Sequence, residues 1–356
     1  MAQTPKKKGP HLPSKEAFLD PQLDLFQKFL CNTDEERDQL SNTIELWDSM
    51  PKYAISAKAM TKMRTAEGHL PRQELSFRHK GREYTVRITP CLVEDENGQE
   101  KAYYPGATEE LVEDALRKIA VEQYSGFFDR PNFRSGVVFS LYMLRNELQK
   151  RGHTRSYQEI KRSLDILSSS IIEIRMPEDQ GFIRSTYLPT VAAVSRTRLA
   201  EDPNAKWIVH FHSLVTQGID TLTYRQFNYH KMMALKTQLS RWLFKQLVHK
   251  FTFASLLNSF DILYSTVKRD SGLLSNYRQE KEGVRALANA FEELREMGVL
   301  FEVTREDSLG RRGKIEDVKF HLKPSAEFIK EMKAANKRLS DSVVPVDKSG
   351  LRLTGR

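Results

Sequence analysis

The chain has 356 residues, 39% of them hydrophobic, 10% aromatic and 29% charged, with a formal net charge of +9. At roughly 100–200 residues per domain the length implies two domains plus tails, and the apolar fraction excludes a wholly disordered chain. A basic balance points to a polyanionic partner, nucleic acid being the commonest, although charge alone serves solubility equally well.

Cys31 and Cys91 form no CxxC pair, which excludes an all-cysteine zinc site and argues against a disulfide framework. Met1–Pro13 is polar, carries Lys6, Lys7 and Lys8, and is followed by no apolar run, so no signal peptide is expected. The lysine triplet resembles part of a nuclear import signal, and more simply a solvated tail. No stretch approaches the roughly 18 apolar residues of a membrane span. The expected location is a reducing cytoplasm.

In chain order, residues 1–20 read as disordered. An apolar island, Gln22–Leu30, and an acidic stretch near Asp34–Asp38 precede a first folded region that begins near Trp47. Glu74–Phe77 and Tyr84–Val93 read as strands joined by a turn at His79-Lys80-Gly81. Thr108–Glu122 reads as a helix capped by Thr108, with apolar spacing from Leu111, Ala115, Ile119 and Val121. Ser140–Arg151 is an amphipathic helix ended by Gly152. A basic turn, His153-Thr154-Arg155-Ser156, then opens a second helix with a buried stripe of Ile160, Leu164, Leu167 and Ile171. Strand-like runs follow at Ile171–Met176, Phe182–Tyr187, Leu188–Val194 and Trp207–Phe211. Helix, short turn, helix and hairpin is the order of a winged helix-turn-helix.

The same order recurs. A long helix is predicted over Tyr229–Phe251, a shorter one over Leu256–Val267, a polar loop over Lys268–Gln279 and a third helix over Glu280–Met297, with Gly298 as its C-cap. Val299–Thr304 and Ile315–Leu322 alternate like a hairpin around the basic turn Leu309–Lys314, and Pro324 ends it. Ser325–Leu339 reads as a terminal amphipathic helix and Ser340–Arg356 as a polar tail.

On the helix Glu280–Met297, Val284, Leu287, Ala288, Phe291 and Leu294 have the spacing of a buried stripe. Lys281, Arg285 and Asn289 occupy the first half of the polar face, and Glu292, Glu293 and Glu296 dominate the second. Helix dipoles favour acids first and bases last, so the opposite order calls for another partner, and DNA phosphate with base edges is one. A solvated face of mixed charge is the alternative. Lys268, Arg269 and Arg278 flank this helix, and Arg311, Arg312 and Lys314 lie at the hairpin tip, where cations reach phosphate or minor groove. In the first helix pair, Arg155, Gln158, Lys161 and Arg162 start the second helix on its polar side, to touch phosphate or to line a subunit interface.

The stretch Trp207-Ile-Val-His-Phe-His-Ser-Leu, then Thr223-Tyr224, then Leu239-Ser-Arg-Trp-Leu-Phe-Lys-Gln-Leu resembles iteron-binding plasmid replication initiators of the RepA and TrfA type. The pentapeptide Gln22-Leu23-Asp24-Leu25-Phe26 is similar to the sliding-clamp-binding peptide of bacterial replication proteins, which TrfA-type initiators carry ahead of two winged-helix domains. The resemblance covers residues 20–335 in order of elements, with residue matches confined to the pentapeptide and Trp207–Phe251. It implies an α+β fold of two tandem winged-helix domains. It also implies binding to repeated origin sites (iterons) in double-stranded DNA, melting of an adjacent A·T-rich segment, and contact with its single strands. Implied partners are the sliding clamp, the host helicase, the initiator DnaA and a second copy of the chain. In the pentapeptide, Leu23, Leu25 and Phe26 would fill clamp pockets while Gln22 supplies directional hydrogen bonds. A hydrophobic staple against the first domain is the alternative.

His210-Phe211-His212 is the sharpest enzymatic signal. On a strand, alternation sets both imidazoles on one face, as in rolling-circle nicking enzymes that hold a divalent metal and attack phosphate through a tyrosine; Tyr224 and Tyr229 lie downstream. No third ligand stands at a convincing spacing, so a metal is not assigned. No GxxxxGK[ST] loop or Gly-x-Ser-x-Gly elbow occurs, and Glu109-Glu110 and Glu292-Glu293 read as helix surface. Trp242, Phe244, Phe251 and Phe253 read as core. The expectation is a DNA-binding protein without catalysis or cofactor. Its segments are residues 1–45 (flexible, with the clamp peptide), 46–220 and 221–339 (two winged-helix domains) and 340–356 (tail). A winged-helix transcriptional repressor is the runner-up.

Overall fold

The computed structural model describes residues 38–94, 98–122, 136–195, 199, 202–220, 224–253, 255, 257–309 and 315–343. The clamp-like pentapeptide at 22–26 and the hairpin-tip cations Arg311, Arg312 and Lys314 lie outside the described residues.

The fold is mixed α/β with small antiparallel sheets. Strand β1 (Leu40–Ile44) leads into helix α1 (Glu45–Ser49) and, after a buried turn, α2 (Ala57–Met63). Next come β2 (Gln73–His79), β3 (Arg82–Thr89), β4 (Cys91–Glu94), β5 (Glu100–Tyr103) and α3 (Ala107–Glu122). The β2–β3 turn falls where the sequence placed it: Lys80 and Gly81 both have positive φ, as a two-residue hairpin loop requires, and His79 pairs with Arg82.

Strand β6 (Gly136–Phe139) precedes helices α4 (Leu141–Lys150) and α5 (Tyr157–Ser169) and strands β7 (Ile171–Arg175), β8 (Phe182–Thr186), β9 (Thr190–Val194) and β10 (Lys206–His210). The two runs expected after Gly181 are strands, but they join different sheets. β8 closes the sheet β2-β3-β7-β8, and β9 lies at the edge of β6-β10-β9.

Helix α6 (Ser213–Asp220) leads to β11 (Tyr224–Asn228), which pairs with β1 so that Leu40 faces Asn228 and Ile44 faces Tyr224. Residues 40–45, expected in the flexible segment, are therefore ordered: Ser41, Asn42, Thr43 and Ile44 are all buried by the strand partner that the distant β11 supplies.

The expected single helix over Tyr229–Phe251 is two, α7 (Tyr229–Ala234) and α8 (Gln238–Lys250). The break has a local cause. Thr237 is extended and its hydroxyl accepts the Ser240 N–H at 3.1 Å, so α8 starts afresh there. The Leu235 carbonyl left over receives Arg241 Nη1 at 3.1 Å. The helix expected at Leu256–Val267 is likewise corrected, to strand β12 (Phe260–Leu263) followed by α9 (Tyr264–Ser271). Phe260 to Leu263 pair with Leu322 to Lys319, and that ladder with a strand about sixty residues later overrides the local helical spacing.

Helix α10 (Glu280–Glu296), the hairpin β13 (Leu300–Leu309) and β14 (Ile315–Pro324), and helix α11 (Ala326–Val343) complete the chain. Pro324 ends β14 as expected, pairing with Leu300 at the open end of the hairpin, and helix α11 continues past 339. Trp242, Phe244 and Phe251 are core as expected, whereas Phe253 is 86% exposed.

One hydrophobic cluster runs from Trp47 and Phe77 through Leu144, Tyr229 and Phe244 to Phe291 and Phe328. Inside it lies a buried ionic network that joins β1–α1, α3 and α8. Asp48 accepts from Arg117 Nη1 (2.8 Å) and Nη2 (3.0 Å), from Thr43 Oγ1 (2.7 Å) and from the Ile44 amide (2.7 Å). Lys245 on α8 donates to both oxygens of Asp114 at 2.9 and 2.7 Å, and Glu113 accepts from Trp47 Nε1 and Tyr53 Oη. Burial alone would raise the Asp48 carboxyl; the Arg117, Lys245 and Lys52 cations outweigh it and hold Asp48 well below the usual carboxylate range. Glu109 and Glu110, expected on a helix surface, are also buried. Glu109 accepts from the Gly106 amide and from Ser163 Oγ, both at 2.8 Å, and so takes the capping role expected of Thr108.

Candidate nucleic-acid interface

The second helix pair is held at both ends by neighbouring elements. Asp317 on β14 accepts the Ser265 amide at 3.1 Å and the Ser265 hydroxyl, which caps the start of α9. Gly272 ends α9 in the left-handed conformation (φ +65°), and Leu274, 1% exposed, pins the turn that follows. Near the start of α10, a Cβ at Gly283 would lie 2.3 Å from the Tyr264 hydroxyl of α9, so a larger residue there would have to displace the tyrosine ring.

The buried side of α10 is Gly283, Val284, Leu287, Ala290, Phe291 and Leu294, with the Phe291 and Phe320 rings 5.0 Å apart. Ala288, predicted in that stripe, is only half-buried, and Ala290 takes its place. This packing faces the remaining side outward. Lys281, Arg285 and Asn289, four residues apart, are all exposed on one stripe, and Arg278 is exposed just before the helix. Among the described residues none of these four side chains has a hydrogen-bond or ion-pair partner. They present three free cations and one amide to solvent.

The other predicted residues separate from this set. Lys268 is ion-paired with Glu280 across the turn. Arg269 makes a two-pronged bond to Asp270 (2.6 and 2.8 Å), and Asp270 also accepts the Arg78 amide of β2 at 2.9 Å. Both cations are thus engaged within the protein. The acidic second half of α10 is engaged too. Glu292 pairs with Arg295 at 2.5 Å, and Glu293 accepts the Lys236 and Thr237 amides at 3.2 and 3.5 Å where α8 begins. The pair Glu292-Glu293 lies on the helix surface as expected, with each carboxylate partnered there. Along α10, the unpartnered Lys281, Arg285 and Asn289 lie in the first ten residues beside the acidic first-turn residues Glu280 and Glu282, and Glu292 and Glu293 in the second half have partners within the protein.

The first helix pair shows a milder version. Ser156 and Glu159 form a reciprocal capping box at the start of α5. Gln158 and Arg162, four residues apart, are exposed. Arg155 is half-buried and its Nη1 donates to the Thr154 carbonyl at 2.8 Å, and Lys161 is half-buried and already engaged.

His210 and His212 do not share an open strand face. β10 ends at His210, and His212 is fully buried with its ring stacked 4.5 Å from Trp47 and its Nδ1 accepting the Leu214 amide at 3.2 Å. Burial, with Lys52 nearby, pushes the His212 imidazole down to about 4. Tyr224 and Tyr229 are buried. Among the described residues no three His, Cys, Asp or Glu side chains are grouped to hold a metal ion, and no helix is long and apolar enough to cross a membrane.

What sequence reading missed was the ionic network. Glu110, Glu113, Asp114, Arg117 and Lys118 do recur at helical spacing, but charged residues default to the surface, so such a stripe reads as solvated until its partners on α1 and α8 are known.

Compared with known protein families and with curated proteins, the sequence matches none. Among solved structures it is similar to a selenomethionine crystal structure of domains 2 and 3 of RctB, at 13% identity and a TM-score of 0.48, covering 78% of this chain and 97% of that one. A second crystal structure of RctB domains 2–3 aligns at 12% identity and a TM-score of 0.43, covering 77% and 97%. The Pi initiator protein, solved in complex with iteron DNA, aligns at 13% identity and a TM-score of 0.35, covering 82% and 99%.

Proposed function

We propose that this protein is an origin-binding replication initiator that reads repeated sites in double-stranded DNA through two winged helix-turn-helix units and performs no catalysis itself. The observation that carries this reading is the unpartnered stripe Lys281, Arg285 and Asn289 on α10, beside Arg278. Helix α10 is the second helix of a helix–turn–helix unit followed by a hairpin, and in that architecture the N-terminal half of the second helix enters the major groove. Arginine and lysine suit guanine edges and phosphate there, and asparagine suits adenine. Gln158 and Arg162 on α5 form the corresponding, weaker contact of the first unit. Phosphate contacts supply the salt-dependent share of affinity.

The rest of the reading comes from the sequence. The pentapeptide Gln22–Phe26 docks on the sliding clamp, and the initiator opens an A·T-rich segment, engages its single strands and meets the host helicase and DnaA. A monomer–dimer equilibrium tunes how much protein is competent to bind and so controls plasmid copy number.

The deciding experiment is a salt-series titration of the full chain on its own upstream plasmid DNA and on random duplex. Specific affinity at least about 10³-fold above random, with a steep salt slope, supports origin recognition. Equal and weak binding to both overturns it.

A further inference from the structure

β14 is the central strand of the sheet β12-β14-β13, and His321 lies in it opposite Asp261 of β12 and Thr304 of β13. Its Nδ1 is 2.7 Å from Asp261 Oδ1, and its Nε2 is 3.0 Å from Glu306 Oε2 on β13. A neutral imidazole carries one N–H and can donate to only one of these carboxylates; the other contact then sets a lone pair against an oxygen. Both contacts are hydrogen bonds only when the ring is doubly protonated. The two carboxylates stand at opposite nitrogens, so a metal ion on either nitrogen would meet one of them alone. The arrangement fits two protons.

The charged groups facing the ring are few. Lys319, two residues earlier on β14, reaches Asp261 Oδ2 at 2.8 Å and opposes a second positive charge, while Asp261 and Glu306 favour it. Lys323 is paired with Glu302 at 2.6 Å, and Asp317 is engaged by Ser265 at the start of α9. The His321 side chain is 30% exposed, so it exchanges protons with solvent.

We propose that His321 is a proton-operated cross-tie of this sheet: its imidazolium joins β12 to β13 through β14, and deprotonation removes the side-chain tie to one of the two outer strands, which stays paired through its backbone ladder but opens more readily. The hydrogen bonds to Asp261 and Glu306 raise the imidazole above its ordinary 6.5. The stabilisation is therefore complete below about 6.5 and is lost as pH rises through the higher folded value. Because the sheet carries the hairpin of the second DNA-binding unit, the tie also makes DNA affinity fall toward alkaline pH. That consequence rests on the proposed function; the tie itself does not.

The test uses the full chain without DNA. The His321 ring is titrated by NMR, and amide protection factors of β12 and β13 are followed between about pH 6 and about pH 8 in the wild type and in His321→Gln. The expected result is a midpoint above the ordinary imidazole value, lowered in Glu306→Gln, with protection that falls across that midpoint only where His321 is present. A midpoint at or below the ordinary value, or the same protection profile in His321→Gln, overturns the proposal. DNA affinity over the same range should weaken on the order of threefold more in the wild type than in His321→Gln. If DNA is not bound at all, the functional reading fails while the titration still decides the cross-tie.

Discussion

Arg117 on α3 and Asp48 on α1 meet through two parallel hydrogen bonds of 2.8 and 3.0 Å, with side chains only 2% and 1% exposed. The pair sits where the N-terminal strand, α3 and α8 converge, and Lys245 with Asp114 continues it toward the second half of the chain. Two charges taken from water are tolerable only when each is matched, and Asp48 is matched four times over.

Arg117→Met should therefore lower unfolding stability by about 3–5 kcal/mol, because Asp48 is left charged and buried without its main partner. Adding Asp48→Asn should recover part of that loss. Urea unfolding of the single and double variants is the check, and a single-variant loss below about 1 kcal/mol would show that the pair is not held in a dry interior.

Acid should loosen the same region before the carboxylates titrate. Burial pushes His249, whose Nε2 lies 3.1 Å from Thr43 Oγ1, down to about 4, and His212 is likewise near 4. Each folded value lies below the ordinary 6.5, so the unfolded chain takes up a proton first as pH falls. Stability is fully present above about 6.5 and declines down to about 4, by on the order of 3 kcal/mol per histidine. Thermal melts from neutral to mildly acidic pH should show this decline, and His249→Gln should flatten part of it.

Among the basic residues, freedom from internal partners should rank the effects on DNA. Arg285→Ala should cost about 1–3 kcal/mol on specific sites and relax sequence preference. Lys268→Ala, which breaks the pair with Glu280, should cost less than about 1 kcal/mol. Equal losses for Arg285→Ala on specific and random duplex would mean a phosphate contact instead of a base contact.

Gly272 occupies a position where the backbone is left-handed and the space is taken: a Cβ there would lie 2.7 Å from Ala54 Cβ and 3.3 Å from Pro51 Cβ. Gly272→Ala should destabilise by about 1–3 kcal/mol through strain and a displaced turn, and weaken DNA binding by moving α10. A variant with unchanged melting temperature would contradict the close contact.

Leu25→Ala with Phe26→Ala should abolish binding to the sliding clamp and leave origin binding intact. Surface plasmon resonance on immobilised clamp reads this directly, and unchanged clamp affinity would remove the pentapeptide from the proposed function.

Features set within a few residues are legible in the chain before any fold is known. The turn at Lys80-Gly81, the order helix, turn, helix, strand pair in the first half, and most of the buried side of α10 follow from periodicity and turn chemistry, which act within a few residues. Features that depend on distant partners emerge only from the three-dimensional arrangement. Strand β1 exists because β11 pairs with it, β12 is a strand because β14 pairs with it, and the charged stripe of α3 is interior because Asp48 and Lys245 answer it. The same holds for the interface. Composition marks Lys268, Arg269, Lys281 and Arg285 alike as cations, and only their neighbours in space show that the first two are satisfied within the protein while the last two face solvent free, because an ion pair is a property of two positions and a sequence lists them one at a time.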